Sequence, residues 1–231
     1  MKRFYKTAEV VAETGRFAIA LDGKPVRTPR GHALAVPSAA LAEAVAAEWL
    51  AQGDTIRPTA MTLTSIANTA IDRIGPNRAA MEEQLLRFAE TDMLCYRADQ
   101  PIELAERQQA TWQPVLDWAE ARFGASLATT SSVLPIVQPA DAQVALAEAL
   151  AAYDEFRLAA LSAAVGAMGS LILGLALAEA RLTAEEAFAL AQLEESYQNE
   201  KWGEDAEAVA RRAALRAEID AAALLFRLHS A

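Results

Sequence analysis

The sequence predicts an α+β protein, with a small antiparallel β-rich N-terminal domain followed by a larger, mainly α-helical domain. Three observations predict it. Asp22-Gly23 lies between two short runs, "RFAIAL" and "KPVRTP", and that dipeptide is the strongest short-range signal for a tight hairpin. From Pro37 onward the period-two pattern gives way to helical spacing with recognisable caps and breakers. Apolar residues make up 53% of the chain but aromatics only 6%, and alanine supplies much of the difference. Alanine loses no side-chain entropy in a helix, so this composition favours helices. The 231 residues suffice for one large or two modest domains, and the expected division is 1–58 and 59–231.

The elements follow in order. Phe17, Ile19 and Leu21 alternate with small residues, which is strand periodicity. "HALAV" after Gly31 adds a third strand and "RFYKTAEVV" before Gly15 a further one. Ser38 is the N-cap of a helix over "AALAEAVAAEWLAQG" that Gly53 ends. The chain is extended at Ile56-Arg57-Pro58, because the residue before proline avoids helical geometry, and helical from Leu63 to Gly75-Pro76. "NRAAMEEQLLRFAET" is a helix with Met81, Leu85 and Phe88 on one face, and "DMLCYRAD" an apolar connector. Another helix follows Pro101 with Pro114 inside it, a position that kinks helices. "SVLPIVQP" is extended, and helices are expected over 140–153, 155–179, 183–201 and 205–229. Thr183 and Glu186 have capping-box spacing at the third of these.

Leu158 to Ala178 runs 21 residues without a charge, close to bilayer-spanning length. Only nine of them are strongly apolar, however, and Glu179 follows directly. Gly166, Ser170 and Gly174, spaced by four, make a small-residue stripe that lets a neighbouring helix approach closely. A helix buried in the protein's own core is expected, with no stable membrane insertion. The net charge of −10 disfavours binding to nucleic acid. The single Cys95 excludes an intramolecular disulfide and fits a reducing compartment. "MKRFYKTAEVVAETGRF" lacks the apolar run of a secretory signal, and a cytoplasmic protein is expected.

Catalytic constellations are missing from the pattern. His32 and His229 lie at opposite ends of the chain, so no zinc spacing exists and no metal or cofactor is expected. Cys95, between bulky apolar neighbours, reads as a packed small hydrophobe. "RTPRGH", Arg27 to His32, gathers two arginines and a histidine and could offer donors to a phosphate or carboxylate, but a solvated hairpin tip is the preferred reading. An enzyme using that loop in an interdomain cleft is the alternative reading, and it would require convergent carboxylates of raised pKa. The adjacent pairs Glu82-Glu83, Glu185-Glu186 and Glu194-Glu195 point about 100° apart on a helix and do not converge.

The unusual stretch is "QLEESYQNEKWGED", Gln192 to Asp205, with five acids, a tyrosine and a tryptophan before Gly203. At the end of a helix over 183–201, Glu200 would oppose the macrodipole, so stability alone does not explain it. Tryptophan beside carboxylates is the combination found at interaction hot spots.

This stretch belongs to a wider resemblance. The sequence resembles the assembly-chaperone family that binds the alpha subunit of the F-type ATP synthase catalytic head, known from mitochondria and alphaproteobacteria. The matching segments are "RFYK", "LDGKPVRTP", "PSAALAEAVAAEW", "IRPTAMTLTSIANTAID", "DMLCYR", "QATWQPVLDW", "GSLILGLAL" and "LEESYQNEKWGED", in that order along nearly the whole chain. The resemblance implies the same α+β division, no enzymatic activity, and the ATP synthase alpha subunit as partner. It also implies functionally sensitive acids at Glu195 and Glu200, with Trp202 and Gly203 as landmarks and Glu194 or Asp205 as neighbouring assignments. The absence of a presequence points to a bacterial cytoplasmic member, whereas eukaryotic relatives work in the mitochondrial matrix. A β-strand edge within residues 1–36 is a second route to the partner.

Overall fold

The computed structural model describes residues 1–132 and 134–229. Among the described residues, four strands and ten α-helices form two compact units, each built from separated stretches of chain. The first unit contains Met1–Arg78, Asp154–Ala160 and the residues from Ala221 onward, and the second contains Ala79–Tyr153 and Leu161–Asp220. The expected division after residue 58 differs from this partition. The chain continues in the first unit through Arg78, because Glu48 and Asp72 tie 62–74 back to the N-terminal region, as described below.

In the first unit the antiparallel sheet runs β1 (Ala8–Glu13), β2 (Arg16–Leu21), β3 (Lys24–Pro25), with β4 (Ala35–Val36) also pairing β2. Leu21 pairs Lys24 around Asp22-Gly23, both at positive φ, the two-residue hairpin expected from the dipeptide. Asp22 tolerates φ 47° because its carboxylate accepts the backbone N–H of Lys6 and of Thr7, at 3.0 and 2.8 Å. These bonds, the one from Thr7 foremost, lower its pKa. β2 is central, and Ala18, Ile19, Ala20 and Leu21 are all buried, so both of its faces are covered rather than one. β1 pairs β2 along one side only and is the edge strand of the sheet as ordered.

Helix α1 (Ala39–Leu50) packs on β1 and β2. Ser38 caps it by accepting the N–H of Leu41 at 3.2 Å, and its hydroxyl donates to the Leu228 carbonyl. The helix ends at Leu50 with Ala51 as C-cap, short of the expected stop at Gly53. The carboxylate of Glu48 accepts the N–H groups of Leu63 and Thr64 at 2.7 and 2.8 Å. It thereby caps α2 (Thr62–Thr69), whose own N-cap Met61 has no side-chain oxygen to offer. α2 runs into a π-turn, Ala70–Ile74, which ends at Gly75 as the Gly-Pro pair predicts.

The second unit holds α3 (Arg78–Glu90) apart from its first residue, α4 (Ile102–Phe123), α5 (Ala140–Ala151), most of α6 (Glu155–Met168), α7 (Leu171–Ala178), α8 (Ala184–Ala191), α9 (Leu193–Trp202) and the first part of α10 (Ala206–Leu228). On α3 the buried row is Met81, Leu85 and Ala89, with Phe88 half-buried beside it. Pro114 lies within the unbroken span of α4, and Gly124, at φ 77°, ends that helix. Of the "SVLPIVQP" segment, Val133 lies outside the described residues, and the remainder carries no regular secondary structure.

Two expected helices are each divided in the structure. The span 155–179 breaks at Gly169-Ser170 into α6 and α7. Gly169 takes φ 71°, and Ser170 becomes a new N-cap, accepting the N–H of Leu173 at 3.0 Å. The fully buried carboxylate of Asp92 holds the break by accepting the Ser170 hydroxyl at 3.0 Å and the Ile172 N–H at 3.1 Å. The small-residue stripe is therefore not one helix face. Gly166 has open space where a side chain would stand, whereas a Cβ on Gly174 would lie 2.6 Å from Val165 Cγ2. The span 183–201 likewise breaks at Gln192, between α8 and α9, while its start carries the expected Thr183–Glu186 capping box.

Leu171 through Leu177 are buried without exception, and α7 packs against α4 and α8. The uncharged segment is thus core of the protein itself. Among the described residues, no helix is long and apolar enough to cross a membrane.

Candidate functional site on the acidic helix

The break at Gln192 changes the electrostatics of the acidic stretch. Glu194 and Glu195 stand in the first turn of α9, where the helix dipole favours negative charge, and not near a C-terminus. Only Glu200 lies in the last turn, and its placement is explained by Arg107 on α4, whose Nη1 donates to both carboxylate oxygens at 2.8 and 3.0 Å. The same guanidinium donates through Nη2 to Glu103 at 2.8 Å, and Glu103 in turn accepts Lys201 Nζ at 3.1 Å and the Tyr197 hydroxyl at 3.2 Å. Arg107 and Lys201 each lie over the Tyr197 ring at 5.2 Å. Tyr197 is the only buried residue of α9, so this aromatic with its ring of charges anchors the helix to α4. Lys201 and Arg107, by donating to Glu103, hold that carboxyl below its ordinary range, and the bond to Glu200 raises the Arg107 guanidinium.

The remaining acids are also engaged. Glu194 accepts Gln108 Nε2 at 2.6 Å, and Glu195 accepts Arg211 Nη2 from α10 at 2.8 Å. Asp205 acts as the N-cap of α10, accepting the N–H of Ala208 at 2.8 Å. Gly203 takes φ 85° and ψ 171°, a conformation open essentially to glycine alone, and turns the chain between the two helices. Trp202 stands apart from all of this. It is 79% exposed, and every residue from Glu200 to Glu207 is exposed with it.

Of the six expected site residues, Glu194, Glu195, Glu200, Trp202 and Gly203 lie on or at the end of α9, and Asp205 opens α10. Glu194 and Glu195 stand in the first turn of α9 and the other four at its far end, and the carboxylates face different partners. The basic side of the arrangement, Arg107 and Arg211, was not legible beforehand, apart from the i,i+4 spacing of Glu103 and Arg107.

Among the described residues no group of three or more His, Cys, Asp and Glu side chains is placed to hold a metal. His32 and His229 each meet a different aspartate, Asp72 and Asp154. Cys95 is buried, and burial pushes its thiol up to about 12, so it is inert at neutral pH.

The family model described as the ATP12 chaperone protein matches residues 2–120, more than half of the chain. The chain belongs to the ATP12 chaperone family. The expected membership of the assembly-chaperone family follows from the same match. The mitochondrial protein atp12 of Schizosaccharomyces pombe is 28% identical over 214 residues, covering 87% of this chain and 74% of that protein. Among solved structures, the Atu1473 protein of Agrobacterium tumefaciens, described as a candidate chaperone, superposes with a TM-score of 0.94 at 45% identity, over 98% of this chain and 85% of the other. Atp12 of Paracoccus denitrificans superposes with a TM-score of 0.91 at 38% identity, over 99% of this chain and 98% of its own. The two solved structures share the α+β architecture, and the family model and the Agrobacterium protein are named as chaperones rather than enzymes.

Proposed function

We propose that this ATP12-family chaperone acts in the bacterial cytoplasm. There it binds the alpha subunit of the ATP synthase catalytic head and shields the surface destined for a neighbouring subunit during assembly. An unassembled subunit exposes apolar and charged area that favours aggregation until it is covered. A chaperone that covers it must also let go, which favours a modest, polar interface over a permanent hydrophobic one. The observation that carries this reading is the tip of α9. A tryptophan that is 79% exposed stands among carboxylates on a segment exposed along its whole length. Trp202 supplies apolar contact area, and Glu195 and Glu200 supply charge for a basic client surface. Their intramolecular partners, Arg107 and Arg211, are themselves more than one-third exposed, so these pairs exchange partners at little cost.

The test is capture of purified alpha subunit by the E195K/E200K variant and, separately, by W202A. Each is expected to weaken binding by at least about tenfold, the lower range of a hot-spot loss. Capture at wild-type strength by both variants would place the interface elsewhere.

A further inference from the structure

The loop Arg27 to His32 has no role in the tip of α9, and the structure turns it into one wall of a cavity inside the first unit. The cavity measures about 610 Å³, within the range of ligand and peptide-side-chain pockets. Val26, Leu34, Ile56 and Met61 are buried and make an apolar floor. Arg27, Arg30 and Arg73 stand exposed at its rim. Asp72, from the π-turn, is the one carboxylate in the lining, and it is already committed. It accepts the Thr28 hydroxyl at 2.7 Å, the Arg30 N–H at 3.0 Å and His32 Nδ1 at 2.9 Å. None of the three guanidiniums is paired with a carboxylate among the described residues, although Arg27 donates to the Gly31 carbonyl at 3.3 Å. On a chain of net charge −10, this is a local concentration of unneutralised positive charge.

The lining also has unmet hydrogen-bonding capacity of both kinds. Trp49 and Asn68 both line the cavity, and Trp49 Nε1, a donor, and Asn68 Oδ1, an acceptor, are buried without partners. Buried polar groups are nearly always satisfied, so two orphans on residues of the lining mark a surface that a small side-chain turn would complete against an occupant. A donor and an acceptor together match the C=O and N–H of a peptide group better than they match a simple anion. The π-turn that presents Asp72 and Arg73 is itself a rare geometry, found disproportionately at functional sites.

We infer that this cavity receives an extended client segment in which a bulky apolar side chain is flanked by a carboxylate. The apolar side chain fills the floor, the carboxylate meets the rim arginines by charge-assisted hydrogen bonds, and the backbone engages Trp49 and Asn68. The inference rests on the proposed client, the alpha subunit, but it assigns a second contact independent of α9.

The experiment places a benzophenone photocrosslinker at Ser65, an exposed residue of the lining. It also measures capture of purified alpha subunit by wild type, R27E/R73E and the milder R27Q/R73Q. The expected results are a crosslink to a segment carrying adjacent apolar and acidic residues, and a loss of at least about tenfold in affinity for the charge reversal. A smaller loss is expected for the glutamine pair, with the thermal midpoints of both variants near wild type. Wild type that fails to capture the alpha subunit would overturn the proposed client and this contact together. Capture that is unchanged in both arginine variants, with no crosslink from Ser65, would overturn the cavity alone. So would a small organic or inorganic anion, inorganic phosphate included, seen by native mass spectrometry on wild type and lost from R27E/R73E.

Discussion

Helices α7 and α9 are short, belong to the same unit, and are held in place by opposite means. In α7 every residue from Leu171 to Leu177 is buried, and its first turn is fastened by a carboxylate that is itself buried. In α9 only Tyr197 is buried, and apart from the partly buried bond from Gln108 to Glu194 its anchors are mainly charge pairs open to water. Burial contributes about 25 cal/mol per Å² of apolar area and cannot be reassigned, whereas an exposed ion pair contributes about 0–1 kcal/mol and can. A helix built like α7 therefore belongs wholly to the fold. One built like α9 keeps its position while leaving its charges available to a second partner.

The strongest way to break this comparison is at the point where the two regions meet through α4. Trp112 is 1% exposed, and its indole N–H donates to the carbonyl of Leu190, in the last turn of α8 before α9 begins. Truncating it to alanine should cost about 3–5 kcal/mol in urea unfolding, from the cavity and the lost bond together. A loss below about 1 kcal/mol would mean that the core around α4 is not what carries α9.

Asp92 offers the next largest effect, readable through pH. Burial pushes its carboxyl up to about 6 against the backbone and hydroxyl bonds that oppose the rise. The folded state therefore holds the proton more tightly than the unfolded chain does. This group's contribution is most favourable below about pH 4, declines as pH rises through about 6, and is level above that. Two pKa units correspond to about 3 kcal/mol. Unfolding of wild type and D92N should differ by a quantity that changes by roughly that amount between pH 4 and pH 7, since carboxyls with lowered values, such as Asp22 and Glu103, are common to both proteins. A pH-independent difference would remove Asp92 from the account of how α6 and α7 are joined.

Gly174 sharpens the contrast further. A methyl group there would meet Val165 Cγ2 at 2.6 Å and Leu161 Cδ1 at 2.9 Å, and Val165 is β-branched and stiff. The overpacking of about 1–3 kcal/mol outweighs the helix-propensity gain of at most about 1 kcal/mol, so G174A should destabilise by about 1 kcal/mol. A stabilised G174A would show that the close approach is slack. The smallest stability effect should come from E195K/E200K, whose thermal midpoint should move by less than about 3 °C, because exposed pairs contribute little. A larger drop would show that the charges of α9 serve the fold after all.

Much of the local structure is legible in the sequence. The Asp22-Gly23 hairpin, the Ser38 cap and the Thr183–Glu186 box each depend on residues within a few positions of one another. The breaks at Gly169-Ser170 and Gln192 were not legible in the same way. Ser170 reads as a member of a helix stripe and Gly169 as interior to the same helix, and only Asp92, distant in sequence, makes Ser170 a cap. The acids of the candidate site fall on α9 and the start of α10, and the partners that place Glu195 and Glu200 come from α10 and α4, which a local pattern does not reveal.

The sequence by itself determined the α+β class, the Asp22-Gly23 turn, the Ser38 and Thr183 caps, the burial of the uncharged segment and the presence of a tryptophan in an acidic run. Each of these follows from propensity, periodicity or composition, which act over short stretches of chain. Tertiary structure decided where the long helical patterns are interrupted, which carboxylates are already paired, and that Arg27, Arg30 and Arg73 gather on one apolar cavity. Those outcomes depend on contacts between residues far apart in the chain, and a one-dimensional pattern carries no term for such contacts.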